Sequence, residues 1–97
     1  MQILPAEAVL DYCQQYPEAR QQLLAWHADA SASQWKMPVE VKNRFSSVSI
    51  LPENRLVFNI KGNKYRLVVK VNYEVGIVMV RFFGTHAEYD RIDAEVI

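Results

Sequence analysis

The hydrophobic period of this chain changes once, near Val48, and that single switch limits the folds open to it. Before Val48 apolar residues recur every three to four positions, and after it they alternate every two. The first period belongs to helices and the second to strands. Helices followed by strands joined through short turns can bury their apolar sides only by laying the helices on a sheet of antiparallel neighbours. The expected fold is therefore α+β: a small antiparallel β-sheet, N-terminal helices packed on one face, and a short C-terminal helix. With 97 residues, the chain has material for one core, so a single domain over residues 1–97 is expected.

The segments follow from local chemistry. Gln2–Leu4 reads as a short leading strand. Pro5 suits the first turn of a helix, with Ala6, Val9, Leu10 and Cys13 at helical spacing up to Gln15. Pro17 opens a second helix, whose Ala19, Leu23, Trp26 and Ala30 form one stripe, and Ser31–Ser33 end it. Pro38 starts a third, running to Phe45 with Val41 and Phe45 inward. Val48–Leu51 is a weak strand, followed by a turn at Pro52–Asn54. In the next strand Leu56, Phe58 and Ile60 alternate with Val57 and Asn59. Gly62-Asn63 is a tight-turn pair, after which Tyr65, Leu67, Val69 and Val71 alternate with Lys64, Arg66, Val68 and Lys70. A turn at Glu74–Gly76 leads into Ile77–Phe83. If the helices cover one face of this meander, the other face is left available.

The formal charge is zero, yet it is segregated along the chain. Residues 1–34 carry a net −3, residues 35–72 a net +6 and residues 73–97 a net −3. Local field rather than net charge attracts a polyanion, so the basic middle points to an anion-binding face. Cys13 is the sole cysteine. It has no partner for a disulfide, which fits a reducing compartment, and its helical spacing assigns it to packing. No basic leader or long apolar run marks a signal peptide or membrane span. A cytoplasmic protein without membrane partners is expected.

Chemistry concentrates after the last strand, in Gly84-Thr85-His86-Ala87-Glu88-Tyr89-Asp90-Arg91-Ile92-Asp93. Thr85 and Glu88 have the spacing of a capping box, in which hydroxyl and carboxylate each satisfy a free backbone N–H. A helix starting there puts His86, Tyr89 and Asp90 on one face. Such a group is able to transfer protons and contact substrate, and equally to dock a polar tail. The helix start disfavours a protonated imidazole at His86. The other histidine, His27, sits beside Trp26 in a helix and reads as structural.

Alternation sets Lys64, Arg66 and Lys70 on the face opposite the Tyr65 series. Lys61 and Lys64 flank the hairpin turn, and Arg81 lies on the neighbouring strand. Residues two apart on a strand are separated by roughly 6.5–7 Å, close to the spacing of successive phosphates on one nucleic-acid strand. Each cation singly is also what a solvated strand carries; the cluster is more specific. Arginine suits a phosphate through its planar two-donor fork. Together with the C-terminal motif these cations make a candidate site for metal-free RNA cleavage, with His86 taking or giving a proton, Arg66 stabilising charge on phosphorus, and Tyr89 stacking on a base or sharing proton transfer. No zinc-ligand spacing, phosphate-binding glycine loop or Gly-x-Ser-x-Gly motif is present, so no metal or other cofactor is expected.

Trp35-Lys36-Met37-Pro38, the block Val57-Phe58-Asn59-Ile60-x-Gly62-Asn63-Lys64-Tyr65-Arg66-Leu67-Val68-Val69, Asn72-Tyr73, and Gly84-Thr85-His86-x-Glu88-Tyr89-Asp90 resemble the HigB toxins of bacterial type II toxin–antitoxin systems, within the RelE-like superfamily. The resemblance implies a RelE-like fold and an mRNA interferase that cuts translated mRNA in the A site of the 70S ribosome. It also implies neutralisation by a HigA-type helix-turn-helix antitoxin. By position, Arg66 matches the superfamily's phosphate-contacting arginine. His86 stands where RelE has a basic residue, and Tyr89 lies near its C-terminal tyrosine. Val57 and Asn59 stand where RelE has lysines, which leaves Lys61, Lys64 or His86 as the base. The expected catalytic residues are thus Arg66, His86 and Tyr89. Asn59, Lys61, Lys64, Lys70, Arg81 and Asp90 are expected to contact RNA. The alternative is a non-catalytic module that binds RNA or a protein through the same basic sheet.

Overall fold

In the computed structural model, which describes residues 1–97, the period switch coincides with the change from helices to strands. Strand β1 (Gln2–Leu4) is followed by α1 (Ala8–Gln15), a 3-10 turn (Pro17–Ala19), α2 (Arg20–Ala32) and α3 (Pro38–Arg44). Then come β2 (Ser49–Leu51), β3 (Arg55–Ile60), β4 (Tyr65–Asn72), β5 (Ile77–Thr85) and the single turn α4 (His86–Tyr89). The five strands form one sheet in the order β1-β5-β4-β3-β2. Strands β2 to β5 are the expected antiparallel meander. β1 adds to its far edge in parallel, Gln2 opposite Ile77 and Leu4 opposite Met79.

Helix starts differ from expectation in instructive ways. Pro5 is not in the first helical turn: it lies in the bend out of β1, where its carbonyl accepts from the Ala8 N–H at 3.1 Å. Ala6 therefore precedes α1, and Leu10 is half exposed, leaving Val9 and Cys13 as the buried stripe. Pro17 opens the 3-10 turn, and α2 proper begins at Arg20. The stripe Ala19, Leu23, Trp26 and Ala30 is buried as predicted, and so is Val41 on α3. In the β3–β4 turn both Lys61 (φ 56°) and Gly62 (φ 64°) take the left-handed conformation. Glycine adopts it freely, while lysine does so at a cost.

The helices cover one face. Leu56, Phe58, Ile60, Tyr65, Leu67, Val69, Val71, Val78, Val80 and Phe83 pack there against Val9, Leu23, Trp26, Trp35 and Val41. Phe58 anchors the aromatic part of this core, with the Trp26 and Phe45 rings edge-on at 5.4 and 5.1 Å between centroids. The opposite face is not open along its length as expected. Val57 and Val68 form a second, thinner core with Ala94, bordered by Leu51, Phe82, Tyr89, Ile92 and Ile97. Apolar residues on both faces of β3 and β4 need cover on both, and the segment after α4 folds back to supply it. Arg55, 8% exposed, fastens this segment by donating from Nε to the Ile97 carbonyl at 2.8 Å.

One irregularity aims the end of β5. Val69 pairs with Val80, but Val68 pairs with Phe82, so Arg81 is left unopposed in a bulge. The extra residue resets the alternation. Val80 and Phe83 consequently face the helix-side core, while Phe82 borders the outer one.

Candidate active site

The site forms where β4 and β5 end and the chain turns back. Thr85 caps α4: its hydroxyl accepts from the Glu88 N–H at 3.1 Å, and Glu88 Oε1 accepts from the Thr85 N–H at 2.8 Å. The capping box is therefore complete. A Cβ at Gly84 would stand 2.8 Å from the Phe82 ring and 3.0 Å from the Glu88 carboxylate. Glycine there lets the box close against the strand. Glu88 has a further donor from the far end of the sequence, the Tyr16 hydroxyl at 3.1 Å. The Thr85 amide, then the Tyr16 hydroxyl, hold the Glu88 carboxyl below the usual range. Burial and Glu88 together push the Tyr16 hydroxyl up.

His86 stands on this cap. Its backbone N–H donates to the Lys64 carbonyl at 3.0 Å, which pins it to the start of β4. Its ring Nδ1 lies 3.1 Å from Asp90 Oδ2, and both side chains are about half exposed (50% and 59%). A carboxylate only accepts, so this contact calls for a proton on Nδ1. Asp90 thus sits against the imidazole. Because α4 is a single turn, it lacks the aligned peptide dipoles that the expectation of a macrodipole effect on His86 relied on.

Arg66 reaches the same place from β4. It is paired across the sheet with Asn59 and Gly84, so these three residues form one row. Its guanidinium lies 5.9 Å from the centre of the Tyr89 ring, and Nη1 donates to the Asn63 carbonyl at 3.2 Å. No carboxylate bridges it. Arg66 therefore keeps an uncompensated charge next to an aromatic ring.

The remaining predicted cations are dispersed. Lys61 and Lys64 turn towards the helix side, where both bridge Glu18, Lys61 at 3.1 Å. Lys64 precedes the first residue of β4, so the strand alternation that grouped it with Arg66 does not govern it. Lys70 does share the Arg66 face, but it lies beyond Val68 and the covering tail, in the row of Arg55 and Met79. Arg81 projects from the bulge, exposed. Reasoning from sequence missed Tyr16, Glu18 and Asn63. The first two act 72 and 43–47 residues from their partners, a separation that no local pattern reveals.

No helix is long and apolar enough to cross a membrane. Comparison with known proteins gives the site a context. The profile of the HigB toxin family, described as the RelE-like toxic component of a toxin–antitoxin system, matches residues 19–92. The mRNA interferase toxin HigB of Escherichia coli K12 is 29% identical over 96 residues, covering 97% of this chain and 92% of that protein. Proteins named mRNA interferase HigB from Escherichia coli O157:H7 and Shigella flexneri match to the same extent. The matched span holds the basic β3–β4 turn, Arg66, the capping box and His86, on the α+β framework expected of RelE-like toxins. The chain belongs to the HigB family of toxins.

Proposed function

We propose that this chain is an mRNA interferase: a single toxin domain that cuts translated mRNA in the ribosomal A site and is silenced by a HigA-type antitoxin in the cytoplasm. The observation that carries the reading is the convergence of an unbridged Arg66, the Tyr89 ring and the Asp90-backed His86 at one strand end. Similarity to proteins named mRNA interferases supports it.

The chemistry is attack of a ribose 2′-oxygen on the adjacent phosphorus. The P–O2′ bond forms, the P–O5′ bond breaks, and the products are a 2′,3′-cyclic phosphate and a 5′-hydroxyl. Arg66 meets the negative charge that grows on the phosphoryl oxygens, and having no carboxylate partner it gives up no ion pair to do so. His86 acts at Nε2 as the imidazolium: with Asp90 on Nδ1, it gives its Nε2 proton to the departing 5′ oxygen and takes another from solvent. The proton of the 2′-hydroxyl leaves to solvent. Tyr89, its ring braced by Arg66, offers a face to a base. Asn59, in the Arg66 row, contacts the backbone beside it. Lys70 and Arg81 add long-range attraction for the strand.

Induction of the chain without antitoxin tests this. Growth should arrest, and translated mRNAs should accumulate fragments with cyclic phosphate ends; co-expression of the antitoxin should restore growth. Normal growth with abundant folded protein would point to the non-catalytic module.

A further inference from the structure

Three donors converge on one carboxylate at the β3–β4 turn. Lys61 Nζ lies 3.1 Å from Glu18 Oε1, Lys64 Nζ bridges the same oxygen, and the Tyr65 hydroxyl donates to Oε2 at 3.2 Å. The lysines and Glu18 are open to solvent, with side chains 39%, 51% and 44% exposed. Exposed ion pairs of this kind add little to stability. Tyr65 is different: it is 4% exposed, stacked on Phe83 and met edge-on by Tyr16. Its hydroxyl is thus a rigid donor held at the mouth of the group. A buried, fixed donor flanked by two mobile cations is an arrangement that receives the oxygens of an anion.

The group also abuts the candidate active site. The Lys64 carbonyl accepts from the His86 N–H, and Lys64 precedes Arg66 by two residues. Glu18 itself is delivered by the 3-10 turn Pro17–Ala19, next to the Tyr16 that grips Glu88. Its carboxyl is lowered to about 2, first by Lys64 and then by Lys61, so it is a full anion at neutral pH.

We propose that Lys61, Lys64 and the Tyr65 hydroxyl form a seat for the RNA phosphate next to the one that reacts, and that Glu18 occupies this seat until RNA displaces it. The inference rests on the proposed nuclease function, since it adds a subsite to that site. The free protein then holds its turn lysines in place with an internal carboxylate, and binding exchanges one anion for another.

The test measures affinity for a short single-stranded 2′-O-methyl RNA, which lacks the nucleophile and stays intact. Glu18→Gln should bind it about three- to tenfold more tightly than wild type at low salt. The plot of log affinity against log salt should steepen by about 0.7, the share of one released phosphate counterion. Lys61→Gln/Lys64→Gln in the Glu18→Gln background should erase the gain. Unchanged or weaker RNA binding by a folded Glu18→Gln protein overturns the seat. So does a gain seen for poly-glutamate but not for RNA, which would assign the cations to an acidic protein. Failure of the nuclease reading is separate: wild type would then leave ribosome-bound mRNA uncut, whatever Glu18→Gln does to affinity.

Discussion

Arg66 and Leu67 are neighbours on β4, yet they belong to two differently built faces of one sheet. Leu67 is fully buried in a core of 20 residues under the helices. Arg66 lies on the face whose core has only three buried residues, closed by the C-terminal tail and fringed by His86, Tyr89 and Asp90. The thick face supplies stability, and the thin face, having less to hold together, carries an unbridged charge and exposed titratable groups. Groups arranged for chemistry sit where packing demands least.

The sharpest way to break this division is His86→Gln. It should lower the single-turnover rate of cleavage of ribosome-bound mRNA by about 10²–10⁴-fold with the melting temperature nearly unchanged; a rate within a few-fold of wild type removes His86 from the mechanism. Next comes the neighbouring pair. Leu67→Ala should cost about 2–5 kcal/mol in denaturant unfolding. Arg66→Ala should cost less than about 1 kcal/mol, its ring contact included, while abolishing growth arrest. Equal stability losses for the two would mean that the faces are not distinct.

A smaller effect is expected at the cap. Thr85→Ala should cost about 0.5–2 kcal/mol, and because the box also steadies His86 it should slow cleavage far less than His86→Gln does. The smallest effect is one of pH. The folded-state pKa of Glu18 is depressed from 4.5 to about 2. The stabilisation it brings is therefore full above about pH 4.5 and is lost as pH falls towards 2. The melting-temperature advantage of wild type over Glu18→Gln should shrink across that window. An advantage that grows on acidification would contradict the assignment.

What could be read from sequence divides along the same line. Strands β2 to β5, the helical stripes and the Thr85–Glu88 box follow from residues a few positions apart, and local physics is enough to place them. Cover of Val57 and Val68 by Ala94 has a local sign after all, since Leu56-Val57-Phe58 and Leu67-Val68-Val69 are continuous apolar runs rather than strict alternation. The Arg81 bulge has none, because an extra residue in β5 is defined only against its partner strand. Nor do the Glu18 clasp and the Tyr16–Glu88 bond, which tie the N-terminal part of the chain to partners more than 40 residues away. Arg66, Tyr89, His86 and Asp90 were recognisable individually. That Lys61 and Lys64 turn away from them was not, since both lie outside the regular strands.

The parallel pairing of β1 with β5 has a consequence in time. Gln2 meets Ile77, so β1 waits for a strand made 75 residues after it before the sheet can close. Contacts this distant in sequence make the final folding step late and slow. Synthesis proceeds at roughly 5–20 residues per second, so about 4–15 seconds separate Gln2 from its partner Ile77. Until β5 has been made, β1 has no partner and the sheet stays open at that edge.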